Sequence, residues 1–561
     1  MSNRPVKFEV SDPVEVLRQV NLTPRMIEDF RPVTECLEWR LSQTYWREQG
    51  SVGFLRNEVP FAITSGGTLS AQAAALLHAN CVEARPGADE KIIVLETGAG
   101  SGMFARLFLQ EFERLCVKAG TDFYSRTVYY VTDGSPETVA QWKRNEQFAG
   151  LPVVMGRAIG NDALAVETEQ GIVERLTGVR AVFANYVVDS MPGTVVRKGA
   201  NGPEELHIRT HLIAEPQSVD RLFDKDVDAV RKMAEATDPA LSKHLQLMEF
   251  ESAFLPVSQS YPYLDEAIAF GHDWPRIILN TGAIGYLHGV LDALHADGFV
   301  LINDYGMTQA AEAPALGSSQ RFGLSTAMVV NFPFLAHHFQ GQGFQALAPE
   351  HNERLPIHPM LFARRAMGAT AAKFQDLFSW DAYSAGAGHQ EAARKMLEAG
   401  RLDEVGKAYE RALQARPADW SLMGEVAEFL LRNAADYEAG RKMAESALAL
   451  NPWYSAWLWN LLGDALFALN RFAEAHEIYL RAQTMSTNDP RTLLNLGYTY
   501  WELGDSEKAL EALATGLAVD GSGQYRQRLL EKQSLILEAL TRRYAQEQEW
   551  LARRAARMTA G

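Results

Sequence analysis

The stretch "KIIVLETGAGSGMFARLFLQEF", Lys91 to Phe112, restricts this chain more than any other. Apolar β-formers end in Glu96, and glycines follow at every second position, Gly98, Gly100 and Gly102. An apolar helical pattern then begins. Strand, bulk-free turn and helix in that order build a parallel α/β sheet with a ligand turn at a strand's carboxyl end.

Three ligands compete for the turn. A phosphate-cradling P-loop needs Gly-Lys-Ser/Thr at its end, which is lacking. A dinucleotide turn needs a small residue at the position where Met103 stands, for tight packing of the helix on the strand. The third ligand is S-adenosyl-L-methionine, whose turn reads E/D-x-G-x-G-x-G. Without a pyrophosphate, it needs backbone free of Cβ bulk beneath the methionine and ribose. Glu96 is then expected near the methionine ammonium. Asp133, closing the next strand in "TVYYVTDGSP", is expected to accept the ribose hydroxyls. A glycine-rich turn with a coincidental acid is the bland alternative.

Up to about residue 350, short β-branched runs alternate with helical segments. Candidate strands are "KIIVLE", "TVYYVTD", "LPVVMG", "VRAVFANYV", "RIILNT" and "FVLINDYG". Residues 1–50 are expected to form an N-terminal helical segment and 51–350 the α/β domain. The charged stretch at about 217–255 is expected to be a helical insertion, and 351–385 a linker. Beyond about residue 385 the strands give way to a period of about 34 residues, that of tetratricopeptide repeats. Leu462-Gly463 recurs as Leu496-Gly497 and Ala475 as Ala509, while Pro417 and Pro452 stop second helices. Four units are expected within 386–520, capped by a helix over 521–561. Such arrays stack into solenoids that commonly bind a peptide or protein. Trp453, Trp457 and Trp459 fall mostly at packing positions.

The formal charge of −16 argues against a nucleic-acid partner held by phosphate contacts. Cys36, Cys81 and Cys116 form no CxxC pair, and His337, His338, His351 and His358 lack metal-ligand spacing, so no metal is expected. The opening "MSNRPVKFEV" lacks a signal-peptide core, and no uncharged apolar run reaches about 18 residues, so no membrane association and a cytoplasmic location are expected.

Four landmarks resemble the MidA-like methyltransferases, the family that includes the mitochondrial complex I assembly-factor arginine methyltransferase. They are "FAITSGGTLSAQAAALLHA", "VFANYVVDSMP", "GFVLINDYG" and "LSTAMVVNFPFLAHHF", in the family's order across about residues 50–345. The resemblance implies a seven-stranded class I methyltransferase fold and methyl transfer to a protein, with arginine as the attested acceptor. By position it implies that Glu96, Gly98, Gly100, Gly102 and Asp133 contact the cofactor. Asn185 and Asp189 match the polar positions of the family's signature after the fourth strand, and Asp304 that of its Asp-Tyr-Gly turn. Two departures stand out. The family's glutamate after the asparagine is Tyr186 here, and Gly66-Gly67-Thr68 replaces a proline-glutamate pair. A phenol can stack on or hydrogen-bond an acceptor but cannot balance a guanidinium charge.

Asp189 either touches substrate or caps a helix; Asp304 either acts directly or orders a turn; Asn185 either orients a ligand or bonds to loop backbone. Three functions follow: a protein methyltransferase recruiting its substrate through the repeats, a small-molecule N- or O-methyltransferase, or a non-catalytic assembly protein that keeps the fold.

Overall fold

The computed structural model describes residues 25–49, 65–159, 162–212, 227–312, 319–322 and 325–559. It divides into two compact units, Met1–Gly386 and Ala387–Gly561.

A nine-stranded sheet organises the first unit. Its parallel centre has the order β4 (Val153–Ile159), β3 (Thr127–Asp133), β2 (Ile92–Thr97), β7 (Val179–Asn185), β12 (Leu294–Asp304). Next to β12 lies antiparallel β18 (His358–Ala363), followed by β17 (Gln345–Leu347). These seven strands are the expected class I methyltransferase sheet. Beyond β4, β5 (Asp162–Thr168) and β6 (Val173–Arg175) extend the edge by antiparallel pairing. Every residue of β7 is buried, because helices cover both faces and the strand reads as a continuous apolar run. Helices α2 (Thr68–Ala84) and α3 (Met103–Ala119) fill one face around Phe108, Phe112, Tyr129 and Phe183. Helices α7 (Thr281–Ala293) and α8 (Phe332–Gly341) fill the other around Leu95, Val182, Leu287 and Phe339. Helix α4 (Pro136–Arg144) starts behind Ser135, whose side chain accepts from the Thr138 N–H.

Three expectations are corrected. Within the N-terminal segment, Arg25–Pro32 is a strand, β1, paired antiparallel with β9 (Gly202–Leu212), and helix begins only at α1 (Leu37–Gln49). Residues 1–24 lie outside the described residues. A polar-rich segment became a strand because β9 offers it a ladder, which local propensity does not reveal.

The expected helical insertion is helical over Val227–Glu235 and, as a 3-10 helix, over Pro239–Leu247, but it ends on a strand of a second sheet. Strands β8 (Thr194–Gly199), β9 and β10 (Met248–Pro256) join β1 and β11 (Ile277–Leu279), with α5 (Val227–Glu235) packed on β1. The candidate strand "RIILNT" is β11, antiparallel to β8 and not part of the main sheet. The alternation in "EELHIRTHL" and "EFESAFLP" carries this pairing, while residues 217–226 of the expected insertion lie outside the described residues. Helix α6 (Leu264–Phe270) precedes β11. Two short pairs follow β12: β13 (Gly306–Met307) with β16 (Val330–Asn331), and β14 (Ser319–Phe322) with β15 (Ser325–Met328).

The 351–385 segment is no linker. It supplies β18 and α9 (Gly368–Phe378), whose Phe374 and Phe378 join the core around Phe108 and Phe112. Its apolar residues need the α2–β12 surface to show their role.

Helix α10 (Trp380–Glu398) shares an apolar cluster with α11 (Leu402–Ala415) through Ala393 and Tyr409, and in the second unit α12 (Trp420–Arg432) pairs with α13 (Tyr437–Leu450), α14 (Ala456–Ala468) with α15 (Phe472–Met485), and α16 (Pro490–Glu502) with α17 (Ser506–Val519). The long α18 (Arg526–Thr559) packs on α17. Gly463 is required by close approach: a Cβ there would lie 2.3 Å from the Tyr479 ring of the paired helix. Ala475 and Ala509 are fully buried at equivalent places. Asn460 bridges repeats, donating to Thr492 Oγ1 at 2.8 Å and accepting from Asn495 at 3.1 Å.

Candidate functional site

The turn after β2 has the conformation its glycines permit. Gly98, Gly100 and Gly102 sit at φ +60°, +53° and +68°, where a Cβ costs about 1–2 kcal/mol. Neighbouring loops also close on them. A Cβ at Gly98 would lie 2.7 Å from Val187 in the turn after β7, and one at Gly102 would lie 2.7 Å from Gln147 Nε2. Two side chains brace the turn from outside. Trp142 Nε1 donates to the Gly100 carbonyl at 3.0 Å, and Gln147 Nε2 donates to the Ser101 carbonyl at 2.6 Å. Sequence reasoning missed both, since they lie more than 40 residues downstream in no shared motif.

Asp133 meets the turn directly. Its Oδ2 accepts from the Gly100 N–H at 3.0 Å and its Oδ1 from the Ser135 N–H at 2.8 Å. Each oxygen keeps a second lone pair, and the side chain is half-buried. Burial raises its carboxyl above the usual range, against the pull of those N–H groups. Glu96 is deeper, 2% exposed, and accepts from the Tyr129 hydroxyl at 3.0 Å. Burial pushes its carboxyl up to about 8, the Tyr129 bond opposing and the Asp133 charge adding to the shift.

The carboxyl ends of β7 and β12 stand beside this turn. Ala184 pairs with Thr97 and Asn185 with Asn303. The gap between β2 and β7 is where the chain's direction of strand addition reverses, the crevice in which doubly wound sheets bind ligands. Asn185 accepts from Asn303 Nδ2 at 2.8 Å, while its own Nδ2 is buried without a hydrogen-bond partner. Asp304 is fully buried. Its Oδ2 accepts from the N–H groups of Val187, Val188 and Asp189 at 3.1, 2.9 and 3.1 Å, and its Oδ1 from Tyr305 at 2.9 Å. Asp304 thereby pins the turn that follows β7. The Asp189 carboxyl hydrogen-bonds to Asp304, and burial pushes it up to about 7. Burial and then the Asp189 charge raise Asp304 as well. Two carboxyls in one dry site share a proton. Four backbone donors favour charge on Asp304, while the hydrogen bond between the two carboxyls raises Asp304 and lowers Asp189.

Tyr186 takes φ +56°, uncommon for a bulky residue. Its ring stacks on Tyr305 with centroids 5.1 Å apart. Burial raises its phenol, with the Tyr305 hydroxyl and the Asp304 and Asp189 charges adding to the shift. Helix α1 lies across this turn: Gln43 Nε2 donates to the Ser190 carbonyl at 3.2 Å, and α1 also touches α4.

The expected cofactor and acceptor candidates therefore converge on one edge of the sheet. Glycines without room for a Cβ, a half-buried acid tied to them and the orphaned Asn185 amide donor fit S-adenosyl-L-methionine. Among the described residues, no group of three or more His, Cys, Asp or Glu could hold a metal, and no helix is long and apolar enough to cross a membrane.

Seven strands in this order with such a turn define a class I methyltransferase domain. Residues 68–343 match the sequence profile described as "Putative S-adenosyl-L-methionine-dependent methyltransferase", and residues 458–489 and 490–522 match that of the tetratricopeptide repeat. The first unit belongs to that methyltransferase family, whose cofactor is S-adenosyl-L-methionine. No curated protein matches the chain.

Similar solved structures include a Burkholderia thailandensis protein bound to S-adenosyl-homocysteine, at 16% identity over 64% of this chain and 92% of that one, TM-score 0.39. The MamA protein is similar at 20% identity over 28% of this chain and 82% of its own, TM-score 0.25. Pseudomonas aeruginosa pilF is similar at 18% identity over 30% and 75%, TM-score 0.26.

Proposed function

We propose that this chain transfers a methyl group from S-adenosyl-L-methionine to a protein substrate recruited by its repeats, with an arginine as candidate acceptor. The observation that carries the reading is the Gly100–Asp133 contact, which joins the bulk-free turn to the acid in a chain that also has a tetratricopeptide array.

When bound, the cofactor supplies an electrophilic methyl group on a sulfonium. Gly98, Gly100 and Gly102 keep its seat free of side-chain bulk, and the spare lone pairs of Asp133 would accept the ribose hydroxyls. Glu96 would hold the methionine ammonium as an ionised carboxylate. Asn185 Nδ2 donates to the methionine carboxylate or to the acceptor. Asp304 is a positioning residue that holds the 187–189 turn. Asp189, titrating near neutrality, is suited to take the proton that an acceptor nitrogen sheds. Tethering a binding array to the catalytic unit raises the effective concentration of a large substrate.

One observation favours a second reading, a small-molecule acceptor. Tyr186 replaces the family glutamate, and the nearby carboxyls Asp189 and Asp304 are buried and share a proton, so neither is a free partner for a guanidinium.

Incubation of the full chain with methyl-labelled cofactor and lysate separates the two. Labelled protein supports the first reading, and label only in low-mass metabolites the second. The chain ending at Gly386 should keep cofactor affinity and show a raised KM for the protein substrate. Unchanged kinetics would count against recruitment.

A further inference from the structure

Helix α18 runs on after its packing stops. Its buried residues, Leu529, Lys532 and Ile536, lie near its start and meet α16 and α17. From Thr541 to Arg557 every residue is exposed. At 1.5 Å per residue that is about 25 Å of solvated helix. Ion pairs one turn apart support it: Glu538–Arg542 at 3.4 Å, Arg543–Glu547 at 3.5 Å, and Glu549–Arg553. Such pairs contribute little, and a helix of this length is marginal alone.

One side of the helix is apolar. Leu530, Leu537, Tyr544 and Leu551 follow one another at seven-residue intervals and are 47%, 48%, 64% and 50% exposed. Seven residues fall about 20° short of two full turns, so the row drifts on a straight helix and a left-handed supercoil straightens it. That is the seam a second helix covers in a coiled coil. A membrane surface favours a broad apolar face, whereas Glu547 and Gln548 stand within this narrow one.

Charge selects the partner and its direction. Glu547 and Arg554 occupy one flank of the seam, about 10 Å apart along the axis and too far to pair within one helix. In the single chain Glu547 meets Arg543, and Arg554 lies over the Trp550 ring at 5.3 Å. Ala545 and Ala552 occupy the other flank. When two copies of such a helix run antiparallel, like flanks meet. Glu547 then faces Arg554 of the second copy, and the twofold axis repeats the pair. The same register sets Tyr544 over Ala555 and Leu551 over Gln548, a larger side chain against a smaller one in each layer. A parallel pair would instead set the charged flank against alanines.

We propose that residues 541–557 of α18 form an antiparallel two-stranded coiled coil with the same segment of a second copy of this chain, so that the protein is a homodimer. Sedimentation velocity of the full chain over a hundredfold range of concentration should show monomer passing into dimer. Leu551→Gln should raise the dimer dissociation constant about tenfold or more. Glu547→Arg and Arg554→Glu each set like charges together at two places and should raise it about tenfold. An equimolar mixture of these two variants pairs opposite charges at both places, and should dimerise as the unsubstituted chain does. All three positions are exposed, so circular dichroism should show the folded helix content in every variant. A chain that stays monomeric throughout would overturn the proposal, and capture of that monomer by anionic phosphatidylserine vesicles would assign the seam to a membrane surface. A dimer unmoved by Leu551→Gln would place the interface elsewhere. Charge variants that dimerise normally, or a mixture that fails to recover, would refute the antiparallel register.

Discussion

Asp133→Asn probes the contact on which the cofactor site depends. Each carboxylate oxygen already accepts one backbone N–H, from Gly100 at 3.0 Å and from Ser135 at 2.8 Å. An amide has one acceptor oxygen, so in either orientation its NH2 confronts one of those N–H groups. Leaving that donor unsatisfied costs about 1–3 kcal/mol of stability in the first unit. Separately, one ribose hydroxyl loses a charged acceptor, worth about 1.5–3 kcal/mol, which corresponds to a Kd increase of roughly 10–150-fold. Calorimetric titration of the full chain with S-adenosyl-homocysteine measures the second effect, and denaturant unfolding the first. A deoxyribose analogue completes a double-mutant cycle. It should bind the unsubstituted protein markedly less well than the parent ligand, and Asp133→Asn with little further loss. A Kd within threefold of the unsubstituted protein, or equal losses from the analogue in both proteins, would show that Asp133 does not grip the sugar.

Glu96, held near 8 in the free protein, must ionise to meet an ammonium, so S-adenosyl-homocysteine affinity should rise by up to about tenfold per pH unit from pH 6 to 8; Glu96→Gln should flatten that dependence in the same titration. Asp189, raised by burial to about 7, binds more protons in the folded than in the unfolded state between about pH 4 and 7. Its contribution to stability is therefore complete below about pH 4 and lost as pH rises through 7, and thermal melts of Asp189→Asn should show a shallower decline over that window. In the repeats, Gly463→Ala puts a Cβ 2.3 Å from Tyr479, whose hydroxyl is tethered to Asp464 at 2.8 Å and cannot yield. Denaturant unfolding should register a loss of about 1–3 kcal/mol in the second unit, with cofactor affinity unchanged.

What could be read from the chain alone was whatever local backbone chemistry dictates. Glycine at alternate positions before a helix implies a turn that no other residue tolerates, and Gly98, Gly100 and Gly102 all take left-handed φ. Continuous apolar runs gave away the parallel strands, and Leu462-Gly463 with its copy 34 residues on gave away the helix pairs. Where a segment's state depends on a distant partner, the local pattern was silent or misleading. Arg25–Pro32 is a strand because β9 stands ready to pair, and α9 is core because α2 and β12 present an apolar surface. The same dependence governs the site. Only the fold brings four backbone donors onto Asp304 and shares its proton with Asp189, 115 residues away; it also braces the glycine turn with Trp142 and Gln147. Burial and convergence in space set charge state and hydrogen bonding, and neither quantity is written in residue spacing.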